Sequence, residues 1–208
     1  MWQKFQLLLV QNFYLFSYIF FFYLSYIQFE GFKNMIPMFF NRVFRAIKID
    51  IDLYEEVEKD KSATIQAGIV VVLSSLAAGV GALQMGASNF LVAPALSLLG
   101  WYIWAYLVYF VGVKIFKDAK TSVNHGELLR TIGFSQAPGL IRVFGVTPDL
   151  MVVTFIGSGF WILACMVVAV KSALDYQSLW KSLGVVIIAW LLQVFFLFII
   201  LILTNSFF

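Results

Sequence analysis

The side chains that could do chemistry are few and scattered. His125 is the only histidine, with Glu127 two residues on. Zinc chemistry needs two or three His, Cys or carboxylate ligands at fixed spacing, and one imidazole beside one carboxylate does not supply them. His125 reads as a loop histidine. Cys165 is the only cysteine, so an intrachain disulfide and a thiolate cluster are both excluded. It lies in an apolar run, where a thiol acts as a small packing group. Gly157-Ser158-Gly159 is the one suggestive nucleophile. An activated serine needs a basic partner, and no apolar run holds a histidine. Ser158 therefore reads as a small residue that lets helices approach in lipid, as do Gly68, Ser75, Gly79, Gly81 and Gly86. No phosphate loop of the glycine-rich type is present. Ion-coupled transport leaves an ionisable group at the membrane midplane. Here Lys114, Arg142 and Asp149 fall at the edges of apolar runs, and the deepest polar groups are Ser97 and Gln193. No catalytic, cofactor-binding or metal-ligating residue is assigned, no cofactor is expected, and the chain reads as a non-enzyme.

The elements around these residues are membrane helices. The chain of 208 residues is 62% hydrophobic and 12% charged, with mean hydropathy +0.92. A globular domain is about half apolar and about a quarter charged. A helix crossing ~30 Å of hydrocarbon needs about 20 apolar residues. Runs near 63–83, 90–113, 150–170 and 183–203 meet that length. Residues 131–146 are harder, being short and containing Pro138 and Arg142. They form either a span or a re-entrant segment sheltered by protein. Charge favours the span. With it, Arg42, Arg45, Lys48, Lys59, Lys61, Lys114, Lys117, Lys120, Arg130, Lys171 and Lys181 share one side. Lys and Arg mark the cytoplasmic side. The expected fold is thus an all-α integral membrane protein, a five-span bundle with its core N-terminus cytoplasmic and its C-terminus outside. Arg142 would snorkel to the outer interface.

Three regions follow: an apolar segment over 1–34, cytoplasmic helices over 35–62 and a membrane domain over 63–208. In the first, the uncharged run Phe5–Phe29 is packed with Phe, Tyr and Leu and lacks Gly, Ala and Pro. It is either an extra span or translated sequence upstream of a true start at Met35 or Met38. Next, Phe39, Phe40, Val43, Phe44 and Ile47 recur at helical steps between Arg42, Arg45 and Lys48. This pattern predicts an amphipathic helix in the headgroup layer, with Phe40, Arg42, Phe44, Arg45 and Lys48 as the membrane-surface contacts. Asp52 and Glu55 have capping-box spacing and predict a short acidic helix over 53–59. Ser62 or Thr64 would cap the first span.

Four stretches carry a resemblance: 41–67, Gly100–Phe116, Arg130–Leu140 and Trp161–Tyr176. The third is the most specific, with Arg130, Gly133, an aromatic at 134 and Pro138 five residues after the glycine. Together they resemble the Yip (Ypt-interacting protein) membrane family in its bacterial form, over about 41–203. The resemblance implies five spans, a cytoplasmic N-terminus and a structural role for Asp52, Tyr54, Arg130, Gly133 and Pro138. Eukaryotic relatives of that family act in vesicle traffic and bind Rab-type GTPases through an Asp-Leu-Tyr-Gly-Pro stretch. Here Asp52-Leu53-Tyr54 is followed by Glu55-Glu56, which puts GTPase binding in doubt for this chain. The functional expectation is a scaffold or adaptor in a bacterial cytoplasmic (inner) membrane, organising partners or bilayer shape. Its partners would be the lipid bilayer and a membrane or cytoplasmic protein, with no nucleic acid. The alternative is a transporter or channel for a small solute, along a polar path past Gln193, Ser97 and the Gly133–Pro138 break.

Overall fold

A computed structural model of the chain describes residues 35–83, 92–116 and 123–205. Both readings of residues 1–34 lie outside the described residues. The chain divides into two units, Met1–Asn41 and Arg42–Phe208. Helix α1 covers residues 35–47, so its first seven residues belong to the N-terminal unit. The larger unit is all-helical among the described residues.

Helix α2, Ile51–Lys59, starts two residues earlier than the sequence pattern predicts. Asp50 is its N-cap, and its carboxylate accepts the Asp52 backbone N–H at 3.1 Å. Asp50 has the extended backbone that a cap requires. Asp52 sits inside the first turn, where its charge faces the positive end of the helix. Helix α3, Ala63–Gly81, follows with Ser62 at the cap position. The Ser62 hydroxyl donates to Asp60 at 2.6 Å instead of capping α3.

Helix α4 runs Val92–Phe110 and continues as one wide π-helical stretch, Val111–Ile115. A π turn leaves carbonyls out of the regular ladder. The Tyr176 hydroxyl reaches two carbonyls of this stretch, Gly112 at 2.9 Å and Phe116 at 3.0 Å.

The segment expected to span 131–146 is built differently. Helix α5 begins at His125, six residues earlier, on a full capping box between Asn124 and Glu127, and ends at Phe134. After a turn, Ala137–Phe144 forms a 3₁₀ helix. Pro138 lies in its first turn, where a missing N–H costs nothing. The proline thus tightens the chain where an uninterrupted α-helix would need its donor. At ~1.5 Å and ~2.0 Å rise per residue, the two helices together are about 30 Å long.

Three close approaches fix the direction of this segment. A Cβ on Gly133 would lie 2.6 Å from Ala67 Cβ, one on Gly139 would lie 2.0 Å from Ser74 Oγ, and one on Gly81 would lie 2.1 Å from the Arg142 carbonyl. The positions 133, 139 and 142 therefore match 67, 74 and 81 in order. The α5–3₁₀ segment runs beside α3 in the same chain direction.

Helix α6, Pro148–Ala173, then returns, and α7, Leu179–Asn205, follows it. Among the described residues, four helices are long and apolar enough to cross a membrane: Ala63–Gly81, Val92–Ile115, Pro148–Ala173 and Leu179–Phe196. The buried core joins Ala105 and Val108 of α4, Leu128 and Ile132 of α5, Val170 of α6, and Val185 and Ala189 of α7. Outside that core the helices present large apolar groups, with Val153, Phe160, Trp190 and Phe198 all exposed.

Candidate functional site

Two places gather polar side chains of the larger unit. The first joins the end of α1, α2 and the start of α3. Arg42 is only 4% exposed, and each of its guanidinium nitrogens has a partner. Nε donates to Glu56 at 2.8 Å, Nη2 to Asp60 at 2.8 Å and Nη1 to Gln66 at 3.0 Å. Arg45 donates to Asp50 at 2.6 Å and to the second oxygen of Glu56 at 2.5 Å. The Arg45 bond holds the Asp50 carboxyl below its ordinary range. Burial pushes Glu56 up, but the bonds from Arg45 and Arg42 outweigh it and leave the group lowered.

Arg130 locks this layer to the bundle. Its side chain is buried, with Nε donating to the Val57 carbonyl at 2.9 Å and Nη2 to the Glu58 carbonyl. These are orphan acceptors of the last turn of α2, so a guanidinium from α5 serves as that helix's C-cap. The end of α1 is closed in the same way. Trp161 Nε1 donates to the Ile47 carbonyl at 2.8 Å, and the Cys165 thiol lies 3.4 Å from the Ala46 carbonyl. The turn that follows places Ile49 at φ 60°, a left-handed backbone for a β-branched residue.

The residues singled out from sequence fall as follows. Tyr54 is fully buried, its hydroxyl beside the Cys165 thiol without hydrogen-bond geometry, and burial pushes its phenol far above the ordinary value. The Asp52 side chain is exposed. Gly133 and Pro138 are buried, with Gly133 against Ala67 and Trp101. Arg42 and Arg45 face the acidic helix, whereas Phe44 and Lys48 are exposed. Phe40 belongs to the N-terminal unit, its ring edge-on to Phe39 at 5.6 Å. His125 is the first residue of α5, and its ring meets Tyr102 edge-on at 4.8 Å. Among the described residues, no three His, Cys, Asp or Glu side chains converge to hold a metal.

The second place is a cavity of about 800 Å³ bounded by α3, α4, the α5–3₁₀ segment, α6 and α7. Ser97 and Gln193, the deepest polar groups in the sequence reading, both line it. So do Ser74, Gln136 and Arg142, which pattern reading did not group with them. The Arg142 Nε donates to the Ser158 hydroxyl at 2.8 Å, and the guanidinium lies 5.3 Å from the Phe155 ring centre. Ser158 is thus both a close-packing residue and a hydrogen-bond acceptor. Gln66 and Gln136 are among the polar residues that the sequence pattern did not single out. Each is a lone amide in an apolar stretch, which is the only signal the sequence offered.

A family model for the Yip1 domain matches residues 52–201. No curated protein and no solved structure matches the chain.

Proposed function

This chain belongs to the Yip1-domain family, and from that premise we propose that it is a non-enzymatic membrane scaffold or adaptor. The observation that carries this reading is the rigid acidic layer formed by α2. Its buried side is fixed by Arg42, Arg45 and Arg130, while Asp52, Glu55 and Lys59 stay exposed. A surface held in this way is preorganised, so a partner need not order it on binding. The five-crossing topology belongs to the same proposal. The α5–3₁₀ segment runs the length of α3, and the positive residues then share one side. On this topology the acidic layer is cytoplasmic, the C-terminus is outside and the membrane is a bacterial inner membrane. Phe44 and Lys48 meet the headgroup layer, while the two arginines serve α2.

The test has two parts. In a Cys165→Ala background, an impermeant thiol reagent added outside should label Thr147→Cys and leave Gln177→Cys unlabelled. Labelling at 177 would remove the fifth crossing. Crosslinking in native membranes should capture a protein that the Asp52→Lys/Glu55→Lys variant releases at unchanged melting temperature. Equal capture by both forms would defeat the scaffold reading. The cavity favours a second reading, a transporter or channel. Passage of a small osmolyte into proteoliposomes faster than into empty vesicles would move the assignment there.

A further inference from the structure

The cavity bears on a ligand, independently of the scaffold reading. Its size falls within the ~300–1,000 Å³ typical of small-molecule sites. Its wall is mostly hydrocarbon and aromatic, with Trp101, Trp104, Ile162, Met166 and Val186 among the contributors. Leu163, Ile187 and Trp190 also line it and are exposed on the outside of apolar helices, so its mouth opens beside lipid-facing surface. Arg142 lies at the end of the bundle at which α3 stops, its carbonyl against Gly81. The polar groups of the wall are few, namely Ser74, Ser75, Ser97, Gln136, Arg142 and Gln193.

Arg142 is the reason to expect an anion. Among the described residues no carboxylate pairs with it; Nε is taken by Ser158, and Nη1 and Nη2 find no partner among those residues. A half-buried guanidinium without a counter-charge in a low-dielectric wall is costly. The amides of Gln136 and Gln193 likewise make no side-chain hydrogen bond to the described residues. A guanidinium whose two terminal nitrogens meet none of the described residues matches the oxygens of a phosphate diester. An apolar chamber beneath it matches an acyl chain.

We infer that this cavity binds one anionic phospholipid, with its phosphate at Arg142 and an acyl chain between α4, α6 and α7. The walls also supply the means of testing this. Gly100 and Gly159 line the cavity, and a Cβ on either meets nothing within 4 Å. A side chain added at either position therefore starts in open space.

The experiment uses the purified full chain in a neutral detergent. Trp101, Trp104 and Trp190 line the cavity, so phosphatidylglycerol with brominated acyl chains should quench tryptophan fluorescence saturably at low lipid-to-protein ratio. Brominated phosphatidylcholine should need at least tenfold more lipid. Arg142→Gln should weaken the phosphatidylglycerol response at least tenfold. Gly100→Leu and Gly159→Leu should abolish it at unchanged or higher melting temperature, which keeps the test decisive if Arg142→Gln fails to fold. Equal quenching by the two lipids overturns the inference, as does full quenching in folded Gly100→Leu. Inorganic phosphate should neither raise the melting temperature nor displace the lipid at millimolar concentration. If it does both, the site is for a free anion and the lipid assignment fails.

Discussion

The contact between Gly133 and α3 gives a sharp test of how the bundle is held. In Gly133→Ala the new Cβ would lie 2.6 Å from Ala67 Cβ, 3.1 Å from the Trp101 ring and 3.2 Å from the Ala67 backbone carbon. Carbon atoms rest at about 3.5–4.0 Å, so α5 and α3 must separate by roughly 1 Å. The Trp101 ring cannot simply swing away, because its Nε1 donates to the Leu129 carbonyl at 2.9 Å. Overpacking of this kind costs about 1–3 kcal/mol. At about 2–4 °C per kcal/mol for a chain of this size, the melting temperature in detergent should fall by several degrees. Gly100→Ala is the matched control, since its Cβ meets nothing and the helix gains up to ~1 kcal/mol of propensity. The two identical chemical changes should therefore have opposite signs. Ala67→Gly in the Gly133→Ala background removes the opposing methyl and should restore part of the loss. A coupling of about 1 kcal/mol in the double-mutant cycle is expected. Gly133→Ala melting at the wild-type temperature would refute the close-approach argument, and so would additive behaviour of the pair.

Other consequences are open to measurement. Arg42→Met should destabilise more than Arg45→Met, because Arg42 is 4% exposed and Arg45 28% exposed; equal losses on melting would contradict this. Glu58 is half-buried beside Asp175 and Glu127, with Lys59 opposing and Glu55 adding to the push, and its pKa is raised from 4.5 to about 7. Because the folded state then holds the proton more tightly, this group's contribution is fully present below pH ~4.5 and lost as pH rises through about 7. Glu58→Gln should flatten that part of the stability profile, and an unchanged profile would show that the charge is already screened. Tyr176→Phe should loosen the π stretch at the end of α4, read as faster amide exchange at 112–116; protection equal to wild type would mean that the hydroxyl bonds carry no weight.

The long spans were readable because hydropathy over ~20 residues is a strong signal. The expected 183–203 lies inside Leu179–Asn205, and 150–170 lies inside Pro148–Ala173. The segment near 131–146 was not readable as built. Its helix begins on a polar capping box at Asn124, outside the apolar run on which the expectation rested. Gly133 and Pro138 were recognised as places where a helix breaks or tightens, and the 3₁₀ helix is the tightened form. The partners of Arg42, Arg45 and Arg130 were invisible for a different reason. A basic residue at helical spacing looks the same whether it faces headgroups or a neighbouring acidic helix. Only the turn at Ile49, with its unusual backbone, folds α2 back onto those arginines. The cavity joins residues from five separate segments, and no local pattern announces such a meeting.

The polar layer formed by α1 and α2 also carries an implied order of assembly. Arg42 meets Asp60 and Gln66, residues 18 and 24 positions later, so this cluster can close almost as soon as it is made. Arg130 arrives 73 positions after Val57, and Cys165 119 positions after Ala46. At a synthesis rate of about 5–20 residues per second, that last partner leaves the ribosome roughly 6–24 s after the carbonyl it covers. Until then α1 and α2 form a charged hairpin whose ends lack the side-chain partners that α5 and α6 later bring. The layer is therefore drafted early and sealed late, and a ribosome stalled before residue 161 would display it unsealed.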